Sequence, residues 1–307
     1  MKVPVLFLIY NRPGKAAKLL QAIRKYKPSK LYIAADGPRL EKDREAVTRT
    51  REIASKVDWK CEVLTLFRAD NLGCKVAVSS GIDWFFENEE MGIILEDDCL
   101  PNDSFFKFCE ELLKRYRHNE KIGMIAGTNQ FSHEVLEVHD SYFFGTNASI
   151  WGWASWGRAW KHYDVEMRDW PSLKKDNDFL RNHTYNILER LRRQGAYDDV
   201  YRNKIDTWDY QWTFTRQKAD LLSIIPVSNL VENIGMDSEG THLKNKDYVG
   251  HLEAKTIDFP LLHPDSMVPN HKFDRALSRQ IISEGVICNI LYLLIKRPFM
   301  NFLASKH

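Results

Sequence analysis

The sequence predicts an α/β fold on a mostly parallel central sheet, and three observations carry that prediction. The strand candidates of the first hundred residues are apolar throughout rather than alternating. Helix-patterned segments separate them, and each ends abruptly in a polar turn. Strands buried on both faces and joined by helices are those of a parallel sheet covered on two sides. Val3–Tyr10 is the first such run, broken by Asn11-Arg12-Pro13-Gly14 before a helix carrying Leu19, Leu20 and Ile23. Leu31–Ala35 follows and ends in Asp36-Gly37-Pro38, ahead of a charged helix from about Glu41 to Val57. Cys61–Phe67 ends in Arg68-Ala69-Asp70-Asn71-Leu72-Gly73, and the next helix carries Val76, Ile82, Phe85 and Phe86. Gly92–Leu95 is the fourth strand.

A helix over Asn102–Tyr116 has an N-cap in Asn102 or Asp103 and a stripe of Phe105, Phe106, Phe108 and Leu112. Beyond it the pattern becomes irregular and aromatic. Six tryptophans fall between Trp151 and Trp208, with Trp212 just after. The glycines in Trp151-Gly152-Trp153-Ala154-Ser155-Trp156-Gly157 point to a loop. Its indoles either pack in the core or, as with Trp153, line a sugar pocket, where C–H faces of a pyranose stack on rings. No internal repeat or low-complexity linker is present. Residues 1–245 are expected to form one catalytic-type domain and 246–307 a C-terminal helical extension.

Composition narrows the partners. The chain has 307 residues, 44% hydrophobic and 28% charged, which is ordinary for a globular protein. A net charge of +2 without a basic run argues against nucleic acid. Five cysteines with no CxxC pair favour a reducing, cytoplasmic compartment and argue against a cysteine-built zinc site. The N-terminus reads as a first strand rather than a signal peptide. Between Ile281 and Leu303 apolar residues recur at near-helical spacing with Lys296 and Arg297 near the end. That run suits either a helix packed on the domain or a peripheral contact with the inner face of a membrane.

The most informative stretch is Gly92-Ile-Ile-Leu-Glu96-Asp97-Asp98-Cys99-Leu-Pro101. Three adjacent carboxylates at the end of an apolar strand repel one another, and burying one unpaired is costly. A solvated turn is one reading; a cation or polyhydroxylated ligand is the other. Hard oxygen donors suit Mg²⁺ or Mn²⁺, above all when a diphosphate completes the shell. Asn11, Arg12, Asp36, Arg68, Asn71 and Glu96–Asp98 all fall just past strand ends. In an open parallel sheet those ends share one edge, where ligands bind.

In order, these pieces resemble a GT-A (Rossmann-like) glycosyltransferase, most similar to the inverting N-acetylglucosaminyltransferase I family. The matching motifs are Pro4–Pro13, Ile33-Ala34-Ala35-Asp36-Gly37, Ile94–Asp98, and Pro226-Val227-Ser228 with Asn233, Gly235, Gly240 and His242. Gly152-Trp153 and Trp208-Asp209 are similar to its acceptor-side and base-side elements. The match runs from about residue 3 to 245. It departs at Tyr210, where the family has a second Asp, and no counterpart of the family's N-terminal membrane anchor is expected.

The resemblance implies a UDP-sugar donor, with N-acetylglucosamine or a related hexose transferred to a glycan or lipid-linked acceptor. Such an activity would serve surface polysaccharide biosynthesis. Asn11, Arg12, Asp36, Arg68, Asn71, Glu96, Asp97, Trp153 and Ser228 would then bind donor, with Arg12 at the phosphates and Asp36 on the uracil N3–H. Asp98 would hold Mn²⁺ or Mg²⁺. Asp209 would be the general base, with Asp206 the competing carboxylate. The stretch Val227–His242 reads as a lid. Two other functions stay open: a sugar-phosphate nucleotidyltransferase, against which a turn holding only Gly14 counts, and a non-catalytic carbohydrate-binding protein.

Overall fold

The computed structural model describes residues 2–131, 136–235 and 252–280. Parallel strands β1 (Val5–Ile9), β2 (Lys30–Ala35), β3 (Glu62–Phe67) and β4 (Met91–Glu96) are linked by helices α1 (Pro13–Tyr26), α2 (Arg44–Ala54) and α3 (Gly73–Asn88). A short strand β5 (Cys99–Pro101) and helix α4 (Asp103–Arg115) follow, then β6 (Ile122–Ala126), β7 (Tyr142–Gly145) and β8 (Trp153–Trp156). Helices α5 (Ile187–Tyr201) and α6 (Asp209–Lys218) precede β9 (Leu222–Pro226) and β10 (Val231–Asn233).

Eight strands form one sheet in the order β3-β2-β1-β4-β8-β6-β9-β7, and β5 pairs separately with β10. The sheet is mostly parallel: only β8 and β7 oppose their neighbours. Burial on both faces follows from alternation. Val5, Phe7 and Ile9 of β1 pack with Leu19, Ile23 and Phe105 on the face covered by α1 and α4. Leu6 and Leu8 pack with Ile82, Phe85 and Trp212 on the face covered by α3 and α6. β3, at the sheet edge among the described residues, departs from the fully buried expectation: Val63 and Phe67 are exposed.

Asn102 is the N-cap of α4, its side chain accepting from Ser104 and Phe105 N–H at 3.0 and 3.1 Å. The 150–157 segment differs from expectation. Gly152, at φ +62°, turns the chain, and Trp153–Trp156 then enters the sheet as β8 between β4 and β6. Its side chains obey a period of two: Trp153 faces the α3 side, whereas Ala154 and Trp156 face the α4 side. Trp153 stacks on Trp208 with centroids 5.7 Å apart, and Trp212 and Trp160 complete a buried cluster. These indoles are core.

Residues 252–280 belong to the same body. Lys255 N–H donates to the Asn229 carbonyl at 2.7 Å, and Asn270 N–H to the Phe144 carbonyl at 2.7 Å. The Asp274 carboxylate accepts from Thr146 N–H at 3.2 Å. Among the described residues, no helix is long and apolar enough to cross a membrane. The 281–303 run lies outside them.

The indole cluster gives a first test. Trp153→Ala should cost about 3–5 kcal/mol, because a buried cavity replaces the ring. Urea unfolding measures it; unchanged stability would contradict a core role.

Candidate active site

The C-terminal ends of β1 to β4 lie along one edge of the sheet, and a cleft of about 1270 Å³ opens there. Asn11 and Arg12 enter from β1, Asp36 from β2, Arg68 and Asn71 from β3, and Glu96, Asp97 and Asp98 from β4. Eight of the residues singled out in the sequence therefore converge.

The acidic motif is held by one guanidinium. Arg12 Nη1 lies 3.1 Å from Asp97 Oδ1 and 3.0 Å from Asp98 Oδ2. The Asp97 side chain is only 8% exposed, and Tyr10 N–H also donates to it at 3.4 Å. Burial pushes the Asp97 pKa up to about 6, although Arg12 pulls the other way. Burial also drives Glu96 well above the usual carboxylate range, reinforced by Asp98, Asp97 and Asp209. Three clustered acids facing one arginine make a region that favours added positive charge.

The donor set can be tested for a divalent cation. Among the described residues, no three His, Cys, Asp or Glu side chains form a metal cage. Asp98 is partly open, with 23% of its side chain exposed. Pairing of β10 with β5 brings Ile234 N–H to the Asp98 carbonyl at 2.8 Å. A Cβ on Gly235 would stand 2.4 Å from Asp98 Oδ2, so glycine alone leaves room beside that oxygen. Asp98 Oδ2 is also the oxygen Arg12 holds, so a hard cation there would share the carboxylate with the guanidinium and take most of its ligands from phosphate and water.

Asp36 has a local task. Its carboxylate accepts from Gly37, Leu72 and Gly73 N–H and from the Asn71 side-chain amide, at 2.9–3.1 Å. Four donors occupy the lone-pair sites a carboxylate offers. Burial raises its pKa, and these N–H donors oppose the rise. The role implied for it, accepting the uracil N3–H, would require displacing one of them. Asn71 is likewise committed to Asp36 and the Gly37 carbonyl. Arg68 donates to Ser80 Oγ on α3 at 2.7 Å.

Two of the expected donor residues do not line the cleft. Trp153 is buried in the core. Ser228 sits half-buried in the turn after β9, where Asn129 donates to the Pro226 and Val227 carbonyls. That turn leads to β10, which carries Ile234 to the cleft wall. Asp209 is half-buried at the first position of α6 and accepts a hydrogen bond from Thr207 Oγ1. It does not line the cleft, yet its charge reaches Glu96 and Cys74. Of the lid stretch, residues 236–242 lie outside the described ones.

The sequence reading missed Lys15, Lys18 and Arg39, which also line the cleft. A signal existed. Lys15 in the first turn of α1 opposes the helix dipole, and α1 has no side-chain cap there.

No protein-family model matches this chain, and no curated protein matches it in sequence. Among solved structures it is similar to HddC from Yersinia pseudotuberculosis, at 9% identity and a TM-score of 0.33, over 51% of this chain and 77% of that one. UDP-glucose pyrophosphorylase complexed with UDP-glucose matches at 11% identity and a TM-score of 0.29, over 48% and 64%. Apo UDP-glucose pyrophosphorylase matches at 8% and 0.35, over 75% and 93%. At such scores these likenesses carry no argument about activity.

The charge balance makes a prediction. Arg12→Ala should destabilise the chain by about 3–5 kcal/mol, since it strands a buried carboxylate. Denaturant unfolding checks this, and an unchanged midpoint would show that the pair contributes little.

Proposed function

We propose that this chain is a metal-dependent inverting glycosyltransferase using a UDP-sugar, in the manner of the N-acetylglucosaminyltransferase I family it resembles. The observation that carries the reading is the meeting of Arg12 with Glu96–Asp98 at the parallel strand ends, with Asp209 close enough for its charge to act on Glu96. Arg12, with Lys15 and Lys18 nearby in the cleft, supplies positive charge for a diphosphate. Glu96 and Asp97 would accept from ribose and sugar hydroxyls. Asp98 would hold Mn²⁺ or Mg²⁺, which neutralises charge developing on the departing UDP. The acceptor hydroxyl loses its proton to Asp209 as its oxygen attacks the anomeric carbon from the face opposite UDP. The acceptor is a glycan or a lipid-linked saccharide, with peripheral membrane contact through residues 281–303.

A sugar-phosphate nucleotidyltransferase is the second reading. It is favoured by the cationic wall of Arg12, Lys15, Lys18, Arg39 and Arg68, which suits a triphosphate equally well. The single Gly14 after β1 still counts against it. The carbohydrate-binding reading loses its platform, because Trp153, Trp156, Trp208 and Trp212 are core.

Product analysis separates the two enzymes. With UDP-sugars and Mn²⁺, free UDP marks glycosyl transfer or donor hydrolysis. UTP formed on adding pyrophosphate marks nucleotidyl transfer, and neither product from any UDP-hexose would sink both. Asp98→Asn should abolish the Mn²⁺-dependent part of UDP binding by calorimetry; binding that is equal in chelator contradicts the metal assignment. Asp209→Asn should cut turnover by roughly 10²–10⁴-fold with donor affinity nearly intact. Near-normal turnover in that variant would remove Asp209 from the chemistry.

A further inference from the structure

The start of α3 is closed by carboxylates from two distant segments. A helix leaves its first N–H groups without intrahelical partners. Here Leu72 and Gly73 donate to Asp36, whereas Cys74 and Lys75 donate to Asp206 at 2.9 and 2.8 Å. Gly73 is required for this approach: it sits at φ +79°, and a Cβ would come within 2.6 Å of Asp206 Oδ2. The same lysine makes a second tie. Lys75 is buried, and its Nζ donates to Asn203 Oδ1 at 2.8 Å and to Glu166 Oε1 at 2.9 Å.

Residues 203–206 are therefore fastened to α3 at two points, and Asp209 follows three residues later. On the far side Trp208 is locked by stacking on Trp153, and its carbonyl accepts from Tyr163 Oη at 3.0 Å. A segment held at Asn203, Asp206 and Trp208 has little freedom left at Asp209. α3 itself is bound through Asp36 to the end of β2, and hence to the cleft floor. We infer that Asp206, acting through the Cys74 and Lys75 amides, is a positioning residue that sets Asp209 relative to the strand-end carboxylates. The inference rests on the reading of Asp209 as base. This clamp ties the segment that carries Asp209 to the start of α3 and, through Asp36, to the end of β2. Asp206 accepts one N–H bond on each oxygen and itself lines the cleft, so its own variants are compared with Asp209→Asn.

Full-length Asp206→Ala and Asp206→Asn, assayed for UDP release in Mn²⁺, test the inference alongside amide hydrogen exchange. A 1 Å misplacement at a reacting group can cost about 10²-fold. Asp206→Ala is expected to lower kcat by about that factor with the donor KM within about twofold, and to speed exchange at Cys74 and Lys75. Asp206→Asn keeps one acceptor oxygen and should lose less. Faster exchange with unchanged kcat would reduce Asp206 to a helix cap, and a fall in kcat with both amides still protected would break the proposed route; either overturns the inference. Lys75→Met removes the side-chain ties to Asn203 and Glu166 but keeps the backbone bond to Asp206, and it guards against misfolding of the Asp206 variants. It should lower kcat while leaving the Cys74 amide protected, and unchanged kcat counts against the clamp. Loss of the base reading itself shows separately, as full turnover in Asp209→Asn.

Discussion

The pairing of Arg12 with Asp97 and Asp98 is the interaction on which the site depends. Three carboxylates at the end of a buried strand would not tolerate one another without a cation. Arg12 supplies it from the turn after β1, the strand that pairs with β4. Burial is what chiefly raises the pKa values of Glu96 and Asp97, and the neighbouring acids add to the rise at Glu96. A region so poised gains from any ligand that brings positive charge.

Around this centre the molecule uses aromatic packing for placement. The indoles of Trp153, Trp160, Trp208 and Trp212 join β8 to the start of α6. Large rigid rings bury much area at little entropic cost, so they set the position of a helix end firmly. Asp209 follows directly from Trp208. The tryptophans thus serve a site that they do not line. The small β5–β10 sheet acts similarly at the opposite wall, where it seats Gly235 against Asp98.

Two helix starts face the cleft with opposite character. α3 has its orphan N–H groups filled by Asp36 and Asp206, whereas α1 has no side-chain cap and carries Lys15 and Lys18 along the cleft. The α3 start has its first N–H groups occupied, whereas α1 brings Lys15 and Lys18 to the cleft, and Arg39 and Arg68 line it from the ends of β2 and β3.

Much of this was legible in the chain itself. The apolar runs ending in polar turns determined β1 to β4, their parallel pairing and the convergence of eight candidate residues, because strand direction alone places those ends together. The helical stripe and Asn102 determined α4. What only the tertiary structure decided were partnerships across long sequence separations. Asp36 is a carboxylate at a strand end in either account, yet only the approach of the Leu72–Gly73 turn shows its lone pairs filled. Asp206 and Asp209 are alike in type, and only the fold shows that Asp206 accepts the Cys74 and Lys75 amides of α3, over a hundred residues earlier. Trp153 reads as pocket or core until β8 is inserted between β4 and β6, since a period of two in four residues cannot say what covers each face. Local pattern fixes the elements, and the contacts between distant segments fix what each polar group is free to do.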